Sequence, residues 1–216
     1  MVEFTFWDIA RHLLMALRWT VGLSLIAFVT GGLLGLGLLV LRLSKLPGAT
    51  RAVSLYVQLF QGTPLLMQLF LTYFGLAMLG IETSPMVAAV VCLTFYSAAY
   101  LCDIWRGCVE AIPKGQWEAS SCLALSFTEQ LRHVILPQAM RLGIAPTAGF
   151  GVQIIKATAL TSVIGFVEVT KAGQLIANAT FEPFLVYGCV AALYFVLCFP
   201  LSIWSQRIEK RLRPKT

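Results

Sequence analysis

The sequence predicts an all-α membrane protein with five transmembrane helices, and three observations lead to that fold class. Of the 216 residues, 58% are hydrophobic and only 12% are charged, whereas charged residues make up about 25% of a typical soluble domain. Five apolar stretches are long enough to cross a bilayer as helices, which takes about 20 residues. These stretches are continuous and lack the alternation that is typical of a membrane β-barrel.

The five predicted spans form a single transmembrane domain, residues 1–216. They cover approximately residues 19–41, 53–80, 85–105, 143–167 and 184–204. The fourth is the weakest, because Lys156 lies inside it. Before the first span, residues 4–18 are aromatic and partly charged, which favours an interfacial helix. The acids Glu3 and Asp8 argue against a cleavable signal peptide at the N-terminus.

Basic residues predict the orientation of the spans, because lysine and arginine collect in cytoplasmic loops. Twelve of the 16 basic residues fall on one side: Arg42, Lys45, Arg51, Arg106, Lys114, Arg132, Arg141, Arg207, Lys210, Arg211, Arg213 and Lys215. The other side has Arg11, Arg18 and Lys171. We therefore expect an outside N-terminus and a cytoplasmic C-terminus. The net charge of +6 then requires no nucleic acid to explain it.

Cysteine and histidine give no sign of a metal or redox site. None of the six cysteines forms a C-x-x-C pair, and His12 and His133 stand apart from any cluster. Inside spans, cysteine acts as a small apolar residue. We therefore expect no metal site.

The connection between the third and fourth predicted spans, residues 107–142, is long and has helical patterns at 115–125 and 126–135. Ser126 and Glu129 have the spacing of a capping box, and Pro137 is expected to end or kink the second helix. Two short helices joined by a turn would make a knob that fits a groove on a partner. The spacing alone equally allows two interfacial helices that lie against lipid headgroups.

Residues 118–137 resemble the signature loop of ABC-importer permeases, the EAA motif, whose pattern is E-A-A-x3-G-x9-I-x-L-P. Glu118, Ala119 and Ser120 occupy the first three positions, and Leu136 and Pro137 the last two. The neighbouring Ile112-Pro113-Lys114-Gly115-Gln116-Trp117 is similar to the polar amino acid uptake subfamily, which includes histidine, glutamate, glutamine and arginine permeases. Ala124 departs from the pattern at the glycine position, where a turn with φ > 0 would suit alanine less well.

The resemblance extends in order from about residue 18 to residue 211. It includes residues 56–69, the Ser97-Ala98-Ala99-Tyr100 segment, the Ser162-Val163-Ile164-Gly165 segment and the Phe199-Pro200-Leu201-Ser202 segment. It implies the type I ABC-importer permease fold with a cytoplasmic coupling helix. It also implies a multi-pass protein of the bacterial cytoplasmic (inner) membrane that imports polar amino acids.

For this family, the resemblance implies a translocation path formed with a second permease subunit, identical or different. A cytoplasmic ABC ATPase dimer drives transport, and an extracytoplasmic binding protein delivers the substrate. The sequence has no G-x-x-x-x-G-K-[ST] phosphate loop. We therefore expect no catalytic residues and no cofactor in this chain, with ATP and Mg²⁺ bound by the partner ATPase.

Two groups of residues are predicted to carry the function. The resemblance assigns ATPase coupling to the loop, with Glu118 as a polar anchor; the group is Gly115, Gln116, Trp117, Glu118, Ala119, Ser120, Ala124, Leu136 and Pro137. Trp117 is alternatively an anchor at the membrane interface.

The second group is the candidate substrate path, because ionisable residues within spans usually face a cavity or each other and broken helices expose backbone groups. Its members are Gly62, Thr63, Pro64, Gln68, Asp103, Lys156 and Glu168. Each has a structural alternative: a simple kink at 62–64, an Asp103–Arg106 pair, a pairing of Lys156 within the bundle, and a position for Glu168 at the outer interface.

A departure at the fourth span bears on the substrate. Such permeases often have Lys-Asp-Thr/Ser-Ser-Leu where this chain has Lys156-Ala157-Thr158-Ala159-Leu160. Lys156 therefore lacks an adjacent carboxylate. We infer that this subunit is not suited to bind a cationic side chain itself, and that a partner permease could supply the site.

Three other interpretations were weighed. The permease could carry another small polar solute, or the chain could be an assembly subunit without transport activity. A membrane-embedded enzyme is a third possibility, but the intramembrane acids are scattered and no nucleophile–base arrangement is evident.

The charge distribution makes a direct prediction about topology. A reporter enzyme fused after Thr216 should be active in the cytoplasm, because the basic tail is retained on that side. A reporter that functions only outside the cytoplasmic membrane would contradict the five-span orientation. Paired cytoplasmic and periplasmic reporters at the same position supply the measurement.

Overall fold

The computed structural model describes residues 5–44 and 46–212, and helices make up most of them. They are α1 (Phe6–Leu43), α2 (Ala49–Gly62), α3 (Leu65–Met78), α4 (Pro85–Glu110), α5 (Lys114–Cys122), α6 (Phe127–Ile164), α7 (Val169–Thr180) and α8 (Pro183–Leu212). Glu3, Phe4, Lys45, Arg213, Lys215 and Thr216 lie outside the described residues. In the described part, four helices, α1, α4, α6 and α8, have the length and apolarity of membrane spans.

The first predicted span is part of a much longer helix. Thr5 caps α1, its backbone N–H donating to the Asp8 carboxylate at 3.1 Å. From there, α1 runs for 38 residues, about 57 Å at 1.5 Å per residue. The expectation of a separate interfacial helix before residue 19 is therefore wrong, because no proline or capping signal interrupts the chain there.

The second predicted span, 53–80, is two helices rather than one. α2 ends at Gly62, and Thr63 and Pro64 are extended before α3 begins. The break predicted at Gly62-Thr63-Pro64 is therefore present. α3 itself contains a π-helical segment, Leu71–Gly75. Its 14 residues rise about 21 Å, which is less than the bilayer core, so a second crossing would need part of α2 as well.

Side-chain contacts establish the relative directions of the long helices. Gly31 of α1 lies beside Ser97 of α4, and Gly35 lies beside Cys102, so α1 and α4 run in the same direction. The chain must therefore return between them, through the segment that contains α2 and α3.

α6 runs against both of its long neighbours. The Trp105 indole donates to the Thr147 hydroxyl at 2.9 Å, while the Gln153 amide lies 3.2 Å from the Tyr96 hydroxyl. The Ser205 hydroxyl of α8 donates to the Ala145 carbonyl at 2.9 Å. The C-terminal ends of α1, α4 and α8 therefore lie at the same end of the bundle as α5 and the start of α6, which is where the basic residues were predicted to collect.

Two apolar cores hold the bundle together. The larger one joins α1, α3, α4 and α6, with Leu23, Leu69, Leu93 and Ile154 all buried. The second joins the first turns of α1 to α7 and α8. Its buried members include Ile9, Leu13, Val169, Ile176, Val186 and Val190. α7 was not predicted from the sequence, because its polar residues and short length conceal it between two spans.

The α1–α4 contact depends on two glycines. A Cβ built on Gly31 would lie 2.4 Å from the Ser97 Cβ, and one on Gly35 would lie 2.9 Å from the Ala98 carbonyl oxygen. This close approach is the small-xxx-small packing common between membrane helices. Beside it, the Thr30 and Thr94 hydroxyls are hydrogen-bonded at 2.7 Å.

This contact generates a prediction in which the same substitution has opposite effects on one helix. Gly31→Ala should destabilise the fold by roughly 1–3 kcal/mol, the usual range for an overpacked interior. Gly37→Ala is the control, because no atom lies within 4 Å of its Cβ position and alanine favours a helix. The measurement is thermal unfolding in detergent; a larger loss for Gly37→Ala would contradict the packing described here.

Candidate functional site

The connection 107–142 forms a compact hairpin at the basic end of the bundle. We call residues 114–137 the coupling hairpin: α5, a turn at 123–126 and the first part of α6. The predicted helix–turn–helix is present, but its second helix is not short. α6 continues through Pro137 into the fourth span, so the expectation that Pro137 ends the second helix is wrong. Backbone adjustment takes place just before it, in the π-helical segment Gln130–Ile135.

The turn of the coupling hairpin closes on Ala124. This residue has φ = 56°, the left-handed conformation that glycine normally supplies. The Leu125 N–H donates to the Ser120 carbonyl at 3.3 Å, and the Ala124 N–H donates to the Ser121 carbonyl at 2.9 Å. These two bonds are a Schellman motif. Alanine thus occupies a conformation that costs an L-residue roughly 1–2 kcal/mol.

Side chains reinforce the turn from the α6 side. Both the backbone N–H and the hydroxyl of Ser126 donate to Glu129, at 2.8 and 2.6 Å, so the predicted capping box is confirmed. The Gln130 amide reaches back to the Leu125 carbonyl at 2.7 Å and the Ser121 hydroxyl at 3.1 Å. The sequence analysis did not identify Gln130, although a glutamine four residues after a serine cap is a plausible partner for free turn carbonyls.

The aromatic residue of the coupling hairpin packs inside it. Trp117 stacks on Phe127, with ring centroids 6.1 Å apart and planes inclined by 20°. It also packs, with Leu136, on the buried cluster of Val109, Ile112 and Ile135. Trp117 is half-buried and stabilises the hairpin. This holds whether its exposed edge meets the ATPase or the membrane interface, the two surroundings predicted for it.

The predicted coupling residues divide into an outward face and an inner scaffold. Gly115, Glu118 and Ala119 are exposed on one face of α5, together with Cys122. Within the part of the chain that the structure describes, the Glu118 carboxylate has no hydrogen bond or ion pair. Leu123 extends this face as an apolar side chain that is 74% exposed.

The inner scaffold holds the other predicted coupling residues. Ser120 is buried, and its hydroxyl donates to the Trp117 carbonyl at 2.8 Å. The Gln138 amide donates to Gln116 at 3.3 Å, which ties α5 to α6. Together, the two halves present a rigid nine-residue helix with an acidic centre and an apolar tip.

In the candidate substrate path, Gln68 is a cap for the broken helix. Its Nε2 amide lies 2.9 Å from the Phe60 carbonyl, 3.0 Å from the Thr63 carbonyl and 2.8 Å from the Thr63 hydroxyl. The carbonyls freed by the break are thus satisfied from within the chain. The Gln68 Oε1 is buried and has no hydrogen-bond partner.

The two predicted acids are both engaged within the protein. Asp103 pairs with Arg106 at 2.9 Å, and Arg106 also binds Glu110. This is the local ion pair that the sequence analysis gave as the alternative for Asp103. The side chain is about one-third exposed near the basic end of α4.

Glu168 is fully buried and organises the opposite end. Its carboxylate accepts hydrogen bonds from the Lys171 N–H at 2.8 Å, the Thr170 N–H at 2.9 Å and the Tyr194 hydroxyl at 2.7 Å. The Thr20 hydroxyl lies 3.4 Å away. Burial raises the pKa of the Glu168 carboxyl, and these hydrogen bonds oppose the shift.

A carboxylate in this position caps α7. Glu168 was predicted as a candidate of the substrate path, with a position at the outer interface as the alternative; the structure shows it buried, at the end of the bundle opposite the coupling hairpin. Tyr194 was missed in the sequence analysis. The sequence feature that could have identified it is a tyrosine in an apolar span, since a buried tyrosine hydroxyl usually needs a polar partner.

Lys156 differs from Gln68, Asp103 and Glu168 because it is exposed and makes no bond to the described residues. It is exposed, and it lines a groove of about 460 Å³ between α6 and α8 with Ala159, Ala191, Tyr194, Phe195, Cys198, Phe199 and Ser202. It forms no ion pair or hydrogen bond with the described residues. The structure therefore does not show the pairing within the bundle that was the alternative for Lys156. Nor does it join Gln68, Asp103, Lys156 and Glu168 by hydrogen bonds into one site.

Comparison with known families gives a match over most of the chain. Residues 48–214 match the family described as binding-protein-dependent transport system inner membrane component. The L-cystine transport system permease protein TcyB of Bacillus subtilis is 33% identical over 98% of this chain and 90% of its own length. The glutamine transport system permease protein GlnP of Escherichia coli is 35% identical over 76% of each chain.

Solved structures show the same fold. A crystal structure of an amino acid ABC transporter with histidines contains a chain with a TM-score of 0.90 and 30% identity. The alignment covers 97% of this chain and 100% of that one. An inward-facing form of the MetNI methionine ABC transporter, at 22% identity, has a TM-score of 0.76 and supports the fold alone.

The strained turn at Ala124 predicts that an alanine-to-glycine substitution has opposite effects on backbone hydrogen exchange at two positions of the hairpin. Ala124→Gly should slow hydrogen exchange of the 117–126 backbone by roughly fivefold, because glycine relieves about 1 kcal/mol of left-handed strain. Ala119→Gly is the control: within α5 it should speed exchange by a similar factor. Mass-spectrometric exchange on the purified protein makes the measurement. Faster exchange in Ala124→Gly would show that the turn is not strained.

Proposed function

The chain belongs to the family of binding-protein-dependent transport system inner membrane components, and from that premise we propose how it works as the permease of an amino acid importer. It is a multi-pass protein of the inner membrane and the membrane-spanning subunit of an ABC importer. Membership of this family implies a complex with an ATPase and a substrate-binding protein. We propose that its substrates are polar amino acids, as the names of its glutamine and cystine relatives suggest.

The observation that carries the coupling mechanism is the outward face of α5. Glu118 lies at its centre without a partner in the described residues, and Leu123 is exposed at the tip. A short helix with one acidic and one apolar anchor suits a groove on a partner protein. We propose that this partner is a cytoplasmic ATPase dimer, and that Gly115, Glu118 and Ala119 contact it directly.

The remaining coupling residues would act by holding the hairpin rigid. Gln116, Trp117, Ser120 and Leu136 form contacts within it, while Ala124 forms its turn. Since α5 is fixed to α6 through these contacts, a displacement of α5 is passed to α6 rather than absorbed in the connection.

ATP chemistry is assigned to the partner. No phosphate-binding loop occurs in the 216 residues, so the proposal gives the chain no enzymatic activity of its own. ATP and Mg²⁺ would be bound by the ATPase. The path itself would be completed by a second permease subunit, identical or different, which would cover apolar surface such as Phe195 and Val196 of α8, both more than 60% exposed.

Purification of the tagged chain from its native membranes tests the assembly. Recovery of a P-loop ATPase and a second permease, or of two copies of this chain, is the expected result. A chain that remains alone after gentle crosslinking would overturn the proposal.

Reversal of one charge tests the coupling face. Glu118→Lys should abolish ATP-driven uptake and reduce co-purification of the ATPase by roughly tenfold or more, because a partnered carboxylate is replaced by a repelling cation. The chain should remain in the membrane, since the Glu118 carboxylate makes no hydrogen bond or ion pair with the residues that the structure describes.

Glu182→Lys is the matched control. It makes the same charge reversal at an exposed residue next to α8, at the end of the bundle opposite the coupling hairpin. ATPase co-purification should be unchanged in this variant. Wild-type uptake by Glu118→Lys would exclude the coupling role of Glu118.

A further inference from the structure

An open groove, separate from the one beside Lys156, lies at the basic end of the bundle between the last turns of α1 and the start of α6. We call it the inner groove. Its volume is about 440 Å³, and its lining residues are Leu36, Leu39, Val40, Leu43, Ser44, Phe127, Thr128, Leu131 and Leu136. The α1 wall stays accessible, since Leu36 and Val40 are 50% and 62% exposed.

The depth of the inner groove follows from its position on α1. Leu36 and Val40 lie in the last turns of the predicted first span, 19–41, whereas α1 ends at Ser44. The rise from Leu36 to Ser44 is about 12 Å. The groove therefore begins in the hydrocarbon layer and ends at the depth of the lipid headgroups.

The headgroup end of the inner groove offers donors for an anion. Arg132 is exposed; it follows Leu131 and lies four residues, about one helical turn, after Thr128. Neither its guanidinium nor the Thr128 hydroxyl is hydrogen-bonded to the residues that the structure describes. The nearby acid, Glu129, is already bonded to the Ser126 N–H and hydroxyl. An unpartnered cation thus lies beside the polar end of an apolar groove.

A phospholipid of the cytoplasmic leaflet has the matching arrangement, an apolar chain below an anionic phosphate. That leaflet is rich in anionic lipids, and basic pockets between helices on this side of a membrane bind their headgroups. Arg42 and Lys45, on either side of Ser44 in the sequence, add two positive charges to this end of α1. Charge and depth therefore both favour an anionic lipid.

The protein partners of the proposed importer have other surfaces on this chain. None of the nine residues that line the inner groove belongs to α5 or α8. The proposed ATPase contact is the outward face of α5, and the proposed contact of the second permease includes Phe195 and Val196 of α8. Neither partner is therefore needed to account for the inner groove.

The inner groove reaches the coupling hairpin from its inner scaffold. Phe127, one of its walls, stacks on Trp117. Leu131 and Leu136, two further walls, pack on the buried cluster that includes Ile135. A molecule in the groove would therefore touch both α1 and the residues that hold α5 on α6.

We propose that the inner groove binds an anionic phospholipid of the cytoplasmic leaflet, and that this lipid supports the coupling hairpin. The acyl chain lies along Leu36 and Val40, and the phosphate binds to Arg132 and the Thr128 hydroxyl. By filling the space between α1 and the hairpin, the lipid limits the movement that would absorb a displacement of α5. This supporting role rests on the proposed function, whereas the binding of the lipid does not.

Titration of the detergent-purified complex with phosphatidylglycerol or phosphatidylcholine, followed by native mass spectrometry, tests the site. The wild-type complex should bind phosphatidylglycerol more tightly. Arg132→Gln should weaken that binding by roughly fivefold, the effect of one basic residue near the lipid surface, and should leave phosphatidylcholine unchanged.

Arg207→Gln is the matched control, because it removes the same charge from an exposed residue of α8 at the same end of the bundle. Its affinity for phosphatidylglycerol should equal that of the wild type. An equal loss in both variants, or no preference for phosphatidylglycerol in the wild type, would show unspecific surface lipid only and would overturn the proposal.

A second pair of variants tests whether the lipid occupies the groove itself. Val40→Trp fills the groove and should abolish the preference for phosphatidylglycerol. Leu33→Trp places the same side chain on an exposed part of α1 that does not line the groove, and it should keep the preference. Photocrosslinking in native membranes from p-benzoylphenylalanine at position 40 should yield a lipid adduct; an adduct with the ATPase or a second permease would overturn the proposal.

ATP-driven uptake of labelled glutamine in proteoliposomes tests the supporting role. With the complete complex and its binding protein, uptake should be several-fold faster when phosphatidylglycerol is added to phosphatidylcholine. Arg132→Gln should lose most of this gain, and Arg207→Gln should keep it. Equal wild-type uptake in both lipids would refute the support of the hairpin. No uptake of any polar amino acid in either lipid would refute the proposed function, while the titration would still decide the lipid site.

Discussion

The long α1 helix can lie against α4 only because Gly31 and Gly35 leave room for the α4 backbone. The rest of the arrangement depends on this contact. In lipid, helices gain little from the hydrophobic effect, so close packing and interhelical hydrogen bonds must hold them together. The glycines provide the first and the Thr30–Thr94 pair provides the second. With α1 and α4 parallel, the chain returns between them through α2 and α3, and α6 packs against α4 and against Phe28 of α1.

The sequence was most informative where local chemistry decides the structure. Apolar length predicted the crossings of α1, α4, α6 and α8, and the spacing of Ser126 and Glu129 predicted the start of α6. The Gly62-Thr63-Pro64 break was predictable because proline cannot donate the missing hydrogen bond. The family itself was recognisable from residues 118–137, whose spacing is intact.

The failures share a cause, which is that tertiary contacts override local signals. Pro137 does not end α6, because a π-helical segment before it accommodates the ring and Gln138 ties the helix to α5. Glu168 looked like a residue of the path or the outer surface, since no sequence pattern reveals that Thr20 and Tyr194, more than a hundred and about twenty-five residues away, converge on it. For Gln68, predicted as part of the substrate path, no sequence pattern revealed that its amide also caps backbone carbonyls a few residues before it. α7 was not predicted because it is short, and it is stabilised by packing against α1 and α8, which the sequence does not reveal.

The unbroken course of α6 has a mechanical consequence. The helix starts at the turn that α5 forms and ends next to the segment that carries Glu168, and Lys156 lies on it between the two. The helix is about 55 Å long and continues through Pro137 and Pro146, so a push at its base is passed along it as a tilt or a rotation. Because Glu168 fixes α7 to α1 and α8 at the far end, that end is the natural pivot. A swing of the helix at its base would then change the width of the groove beside Lys156. Because Lys156 lies much closer to the pivot than to the base, the movement there would be smaller than the movement at the base, as in a lever.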